Sequence, residues 1–95
     1  MLNKYVVKDP KTAFRIIDGE AVVVTPQDSL FHTLNEVATK IWEWIDGKSK
    51  VREIIEKVYQ EFEVDRDTAE KDCLEFINEA VNKGMLILLD EPAEV

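Results

Sequence analysis

The chain has 95 residues, 45% of them hydrophobic and 34% charged, enough for one globular core, since a domain takes roughly 100–200 residues. Its 20 Asp and Glu against 12 Lys and Arg leave a net charge of -8, so the molecule as a whole repels phosphate backbones and nucleic acid is disfavoured as a partner. One cysteine and one histidine exclude an internal disulfide and a structural zinc site, and the longest apolar run, Met85 to Leu89, falls far short of the roughly 18 residues that span a bilayer.

In chain order, Tyr5 to Val7, ahead of Pro10, reads as either a short strand or an arm. Ala13 to Ile17 and Glu20 to Thr25 are rich in β-branched residues, and Asp18-Gly19 between them is the two-residue type I′ hairpin signal. Pro26 lacks the N–H of a ladder and closes the second strand. Leu30 to Leu34 follows as a third strand. Asn35 can cap a helix over about Glu36 to Asp46, in which Ala38, Ile41 and Ile45 share a face and Gly47 supplies the left-handed stop. Ser49 is the expected cap of a second helix, along which Val51, Ile54, Ile55, Val58 and Phe62 recur at helical spacing. Asp67 with Glu70 resembles a capping box opening a third helix, whose stripe of Ala69, Cys73, Phe76, Ile77 and Ala80 ends before Gly84. Met85 to Leu89 can pair as a short strand, and Asp90 to Val95 reads as a frayed acidic tail.

Little of this carries catalytic chemistry. Cys73 sits inside an amphipathic stripe and reads as a small core hydrophobe. His32 has no nucleophile placed beside it by local sequence and reads as structural. Gly19, Gly47 and Gly84 each stand where a turn or helix end needs positive φ, so no phosphate-cradling loop is present. The carboxylates lie along polar faces or turns. No catalytic residue, metal ligand or cofactor is expected. The N-terminus lacks the apolar stretch of a secretory signal, so the cytoplasm is the expected location.

A hairpin with three helices invites comparison with winged helix-turn-helix DNA readers. Charge argues against that use, because the third helix carries Asp67, Glu70, Asp72, Glu75 and Glu79 against Lys71 and Lys83. Its apolar stripe is also broad: at about 100° per residue, Phe76 and Val81 lie roughly 140° apart and Leu74 widens the arc to roughly 160°. Leu74 and Val81 either pack on the core or form one wall of a groove. If the Leu30 to Leu34 strand lies at a sheet edge beside that wall, its unpaired N–H and C=O groups could receive an extended peptide.

The ordered string Leu34-Asn35, Ala38, Ile41-Trp42, Ile45-Asp46-Gly47, then Val51, Glu53-Ile54, then Phe62, Val64-Asp65, then Asp72-Cys73, Phe76-Ile77, and finally Lys83-Gly84-Met85-Leu86 resembles the signature of the PqqD family. The resemblance runs from about Ala13 to Leu88. It implies a RiPP recognition element, a precursor-peptide-binding chaperone of α+β, winged helix-turn-helix-like fold, with an N-terminal three-stranded antiparallel sheet followed by three helices in a single domain over residues 1–95. Such a protein is no enzyme. It binds the leader segment of a ribosomally synthesised precursor as an added strand and presents it to a modifying enzyme, often a radical SAM maturase. Carried over by position, Leu30, Phe31, His32 and Thr33 would offer the edge strand, and Lys71, Leu74, Asn78 and Val81 the helix wall. Cys73, Ala80 and Gln27 depart from the members that serve pyrroloquinoline quinone synthesis, so the expectation is a leader-binding subunit of another pathway. An acidic winged-helix regulator or adaptor without a peptide substrate is the competing expectation, and an exposed edge would also permit pairing into a homodimer.

Overall fold

The computed structural model describes residues 1–93. Its elements run β1 (Tyr5–Lys8), β2 (Ala13–Ile17), β3 (Glu20–Thr25), β4 (Leu30–Thr33), α1 (Glu36–Trp44), α2 (Val51–Glu61), α3 (Arg66–Asn82) and β5 (Leu86–Leu89). Two antiparallel sheets form, one of order β2-β3-β4 and one pairing β1 with β5. The three-stranded sheet is the expected one. The second sheet corrects the expectation of a single sheet: Tyr5 to Val7 is a strand, not an arm, held by the C-terminal strand through Tyr5 with Leu89 and Val7 with Ile87.

The hairpin forms for the anticipated reason. Asp18 and Gly19 have φ of 52° and 83°, both positive as a type I′ turn requires. Alternation along β3 then buries Ala21, Val23 and Thr25 and turns Val22 and Val24 to the opposite face. The Asn35 side chain accepts the Ala38 N–H at 2.9 Å, which caps α1.

Two caps differ from expectation. Lys50, not Ser49, is the N-cap of α2, and its N–H donates to the Glu53 carboxylate at 2.8 Å. Ser49 instead donates its N–H to Asp46 at 3.1 Å, alongside Lys48 at 2.8 Å. That Asx turn, with Gly47 at φ 79°, reverses the chain between α1 and α2. Side chains crowd Gly47: an added Cβ would stand 2.6 Å from Val7 Cγ1 and 2.7 Å from Ala93 Cβ. The N-cap of α3 is Asp65, whose carboxylate accepts the Thr68 N–H at 2.7 Å. Asp67 therefore lies inside the first turn, where a negative charge faces the positive helix end.

The core joins β3, β1 and β5 to the apolar faces of all three helices, through Val6, Val23, Ile41, Trp42, Ile54 and Ile77. Cys73 lies within it, fully buried, and burial pushes its thiol up to about 12. Trp42 meets Phe14 edge to face at 5.5 Å, and the Lys8 ammonium lies 4.7 Å from the Phe14 ring and 5.3 Å from the Trp42 ring. No described helix is long and apolar enough to cross a membrane. Of the expected acidic tail, residues 94 and 95 lie outside the described residues.

Candidate functional site

The site begins with a ladder that stops. β4 pairs with β3 on one side and with no described strand on the other. Antiparallel pairs alternate between those that exchange hydrogen bonds and those that do not. The Leu34 N–H donates to the Ala21 carbonyl at 2.8 Å, so Leu34 belongs to the bonded set. Stepping back by twos through the pairs His32 with Val23 and Leu30 with Thr25, the bonded set includes His32 and Leu30. Phe31 and Thr33 thus aim their N–H and C=O groups away from β3, along the open edge.

Thr39 terminates the ladder at this end. Its hydroxyl accepts the Ala21 N–H at 2.9 Å and donates to the Leu34 carbonyl at 3.2 Å. One buried side chain on α1, 2% exposed, therefore satisfies both backbone groups and pins the sheet to the helix. At the other end Thr25 donates to Asp28, and His32 Nε2 lies 3.0 Å from the same Thr25 hydroxyl. Because that hydroxyl proton is committed to a carboxylate, His32 Nε2 carries the proton and donates. The Thr25 hydroxyl, foremost, holds the Asp28 carboxyl below the usual range, with the Leu30 N–H assisting. His32 is thus a structural residue that holds β4 in place.

Across the open edge stands α3. The groove between them has a volume of about 550 Å³, within the roughly 300–1,000 Å³ of typical ligand sites. Val37, Ala38 and Ile41 of α1 meet Ala80 and Phe76 of α3 along it, and Asp72, Glu75, Glu79 and Lys83 line its helix side. Of the residues carried over from the resemblance, His32 and Thr33 line the groove, whereas Leu30 and Phe31, 51% and 73% exposed, lie on the strand without lining it.

The helix wall differs from expectation. Lys71, Leu74, Asn78 and Val81 are all absent from the groove lining. Leu74 and Val81 are half-buried and pack against the core cluster, while Lys71 and Asn78 are exposed. The stripe of Ala69, Cys73, Ile77 and Ala80 faces the core, with Leu74 and Val81 on one flank of it and Phe76 on the other. The groove lies on the flank with Phe76, roughly 160° around the helix from Leu74 at about 100° per residue. The residues of the helix that do line the groove include Asp72, Glu75, Phe76 and Glu79, and their one signal in the sequence is Phe76 on an otherwise acidic flank.

Two solved structures share the fold. One, described as TbiB1 in complex with the TbiA(beta) leader peptide, superposes with a TM-score of 0.77 at 28% identity, over 84% of this chain and 93% of that one. Another, a lasso peptide synthetase B1 complexed with the leader peptide, gives 0.75 at 23% identity over 86% and 96%, a likeness of fold. No curated protein matches the chain. The family model described as coenzyme PQQ synthesis protein D (PqqD) matches residues 20–86, from β3 to the start of β5, and the chain therefore belongs to the PqqD family.

Proposed function

We infer that this chain is a RiPP recognition element that binds the leader of a ribosomally synthesised precursor peptide by strand addition to β4. The observation that carries the reading is the open edge of Phe31 and Thr33 beside the α3 groove, in a family member whose fold is shared by proteins solved with leader peptides bound. An added antiparallel strand would exchange bonds with Phe31 and Thr33, and its residues opposite Leu30, His32 and Leu34 would point into the groove. Backbone pairing supplies affinity, and Phe76 with Val37 and Ala38, all half-buried along the groove, supplies an apolar seat. The helix wall in this reading is Asp72, Glu75, Phe76 and Glu79, in place of the four positions carried over from the resemblance.

In the same reading, the chain acts as one winged-helix-like domain in the cytoplasm. It performs no catalysis and hands the bound precursor to a separate radical SAM maturase. Backbone pairing over a few residues with one or two apolar anchors is compatible with micromolar binding, about -8 kcal/mol. The test is titration of the ¹⁵N-labelled chain with synthetic peptides matching the N-terminal halves of the short open reading frames that flank its gene. Amide shifts are expected at Phe31 and Thr33 and from Asp72 to Glu79. Shifts confined to other surfaces would exclude strand addition at β4.

A further inference from the structure

The groove is lopsided in charge. Its helix side carries Asp72, Glu75 and Glu79 against one cation, Lys83. Lys83 is engaged, since its Nζ lies 4.0 Å from Glu79 Oε2. Asp72 and Glu75 make no ion pair and no side-chain hydrogen bond among the described residues, and both are exposed. Facing them from β4, His32 is tied back to Thr25, and the α1 floor of Val37, Ala38 and Ile41 is uncharged. Two carboxylates therefore overlook the same slot into which the edge of β4 opens.

Their spacing matches an elongated ligand rather than an ion. Among the described residues no three acidic, histidine or cysteine groups cluster closely enough to hold a metal. Along the helix, Asp72 to Glu75 is a rise of about 4.5 Å and Glu75 to Glu79 about 6 Å, at roughly 1.5 Å per residue. Alternate residues of an added strand, the ones that face α3, are about 6.8 Å apart. The Asp72 to Glu75 rise is about 2 Å shorter than that strand spacing, a difference that the long, flexible side chains of Lys or Arg span, so two successive inward cations can reach the two carboxylates, with Phe76 beside Glu75 left for an apolar neighbour.

Resting on the strand-addition reading, we propose that the peptide this groove selects is cationic on its inward face, with Lys or Arg in alternate positions paired to Asp72 and Glu75 and an apolar residue set against Phe76. The net charge of -8 adds long-range attraction for such a segment and repels an acidic one.

The test is selection of binders from a displayed library of random decapeptides on the wild-type chain, followed by amide mapping of the selected peptides. Peptides are expected to be enriched in Lys or Arg at alternate positions and to shift Phe31 and Thr33. Their affinity falls about fivefold in the double variant Asp72→Asn, Glu75→Gln, two exposed pairs at modest strength, and falls on going from about 0.05 M to about 0.5 M salt. The thermal midpoint of the double variant stays close to that of the wild type, since both side chains are exposed. Neutral or acidic peptides that still shift Phe31 and Thr33 would overturn the charge selection and leave strand addition standing. Failure to select any peptide, or shifts on other surfaces alone, would overturn both.

Discussion

Substituting proline at two adjacent positions of β4 separates the strand's open edge, where the proposed peptide would pair, from the edge bonded to β3. At Thr33 the N–H points to the open side, so Thr33→Pro removes no bond of the β3-β4 ladder, and edge strands tolerate proline there. It deletes one donor available to an incoming strand. One net backbone hydrogen bond is worth about 1 kcal/mol, so peptide affinity falls about fivefold. At His32 the N–H belongs to the pair with Val23, whose side chain is fully buried. His32→Pro strands the Val23 carbonyl at a cost of about 1–3 kcal/mol, and it also releases the contact with Thr25. For a chain of this length each kcal/mol moves the melting midpoint by about 4–8 °C. Differential scanning calorimetry should show Thr33→Pro within a few degrees of wild type and His32→Pro clearly lower. Fluorescence anisotropy with a selected decapeptide should show the affinity loss in Thr33→Pro. If Thr33→Pro melts as low as His32→Pro, the alternation deduced from Leu34 and Ala21 is inverted; if it binds peptide undiminished, the edge is not where peptide pairs.

Further outcomes concern Thr39, Asp65 and Cys73. Thr39→Val removes the hydroxyl that serves both Ala21 and Leu34 and should destabilise the fold by about 2–5 kcal/mol in urea unfolding, whereas Thr39→Ser keeps the hydroxyl and should avoid most of that loss; an equal effect of both would trace it to packing. The Thr68 N–H holds the Asp65 carboxyl below its usual range, so its contribution is present above the unfolded value near about pH 4 and is lost as pH falls through the folded one. The stability gap between wild type and Asp65→Asn should therefore narrow on acidification, and a gap that widens would contradict the cap. Burial raises the Cys73 thiol to about 12, so the folded form disfavours its ionisation and stability should decline above about pH 9, where the unfolded thiol ionises. In native buffer near about pH 8 the same thiol should react with iodoacetamide only as fast as the chain opens, and reaction at the rate of a free thiol would place Cys73 outside the core.

Local chemistry explains what was legible without a structure. Asp18-Gly19 specified the hairpin because few residue pairs accept two positive φ angles in succession. Asn35 specified the start of α1, since its short amide reaches the N–H three residues on. The α3 cap was misplaced by two residues because Asp65 and Asp67 are chemically equivalent, and only the backbone conformation at Asp65 distinguishes them. The choice of Ser49 over Lys50 failed for a related reason. At α2 the capping bond comes from Glu53 reaching back, so the identity of the cap residue matters little.

The placement of β4 at an edge was the condition on which the expected groove rested, and the sequence by itself determined the three strands of its sheet, a short strand near the C-terminus, three helices and the helix faces that meet the core. Short-range periodicity records these, since each residue's burial repeats at the period of its own element. Which flank of α3 looks onto β4, and that Tyr5–Lys8 closes a second sheet with Leu86–Leu89, only the tertiary structure decided. Both depend on how elements far apart in the chain rotate against a shared core. A helix with an apolar residue on each flank of its core stripe satisfies its own period whichever flank faces the groove.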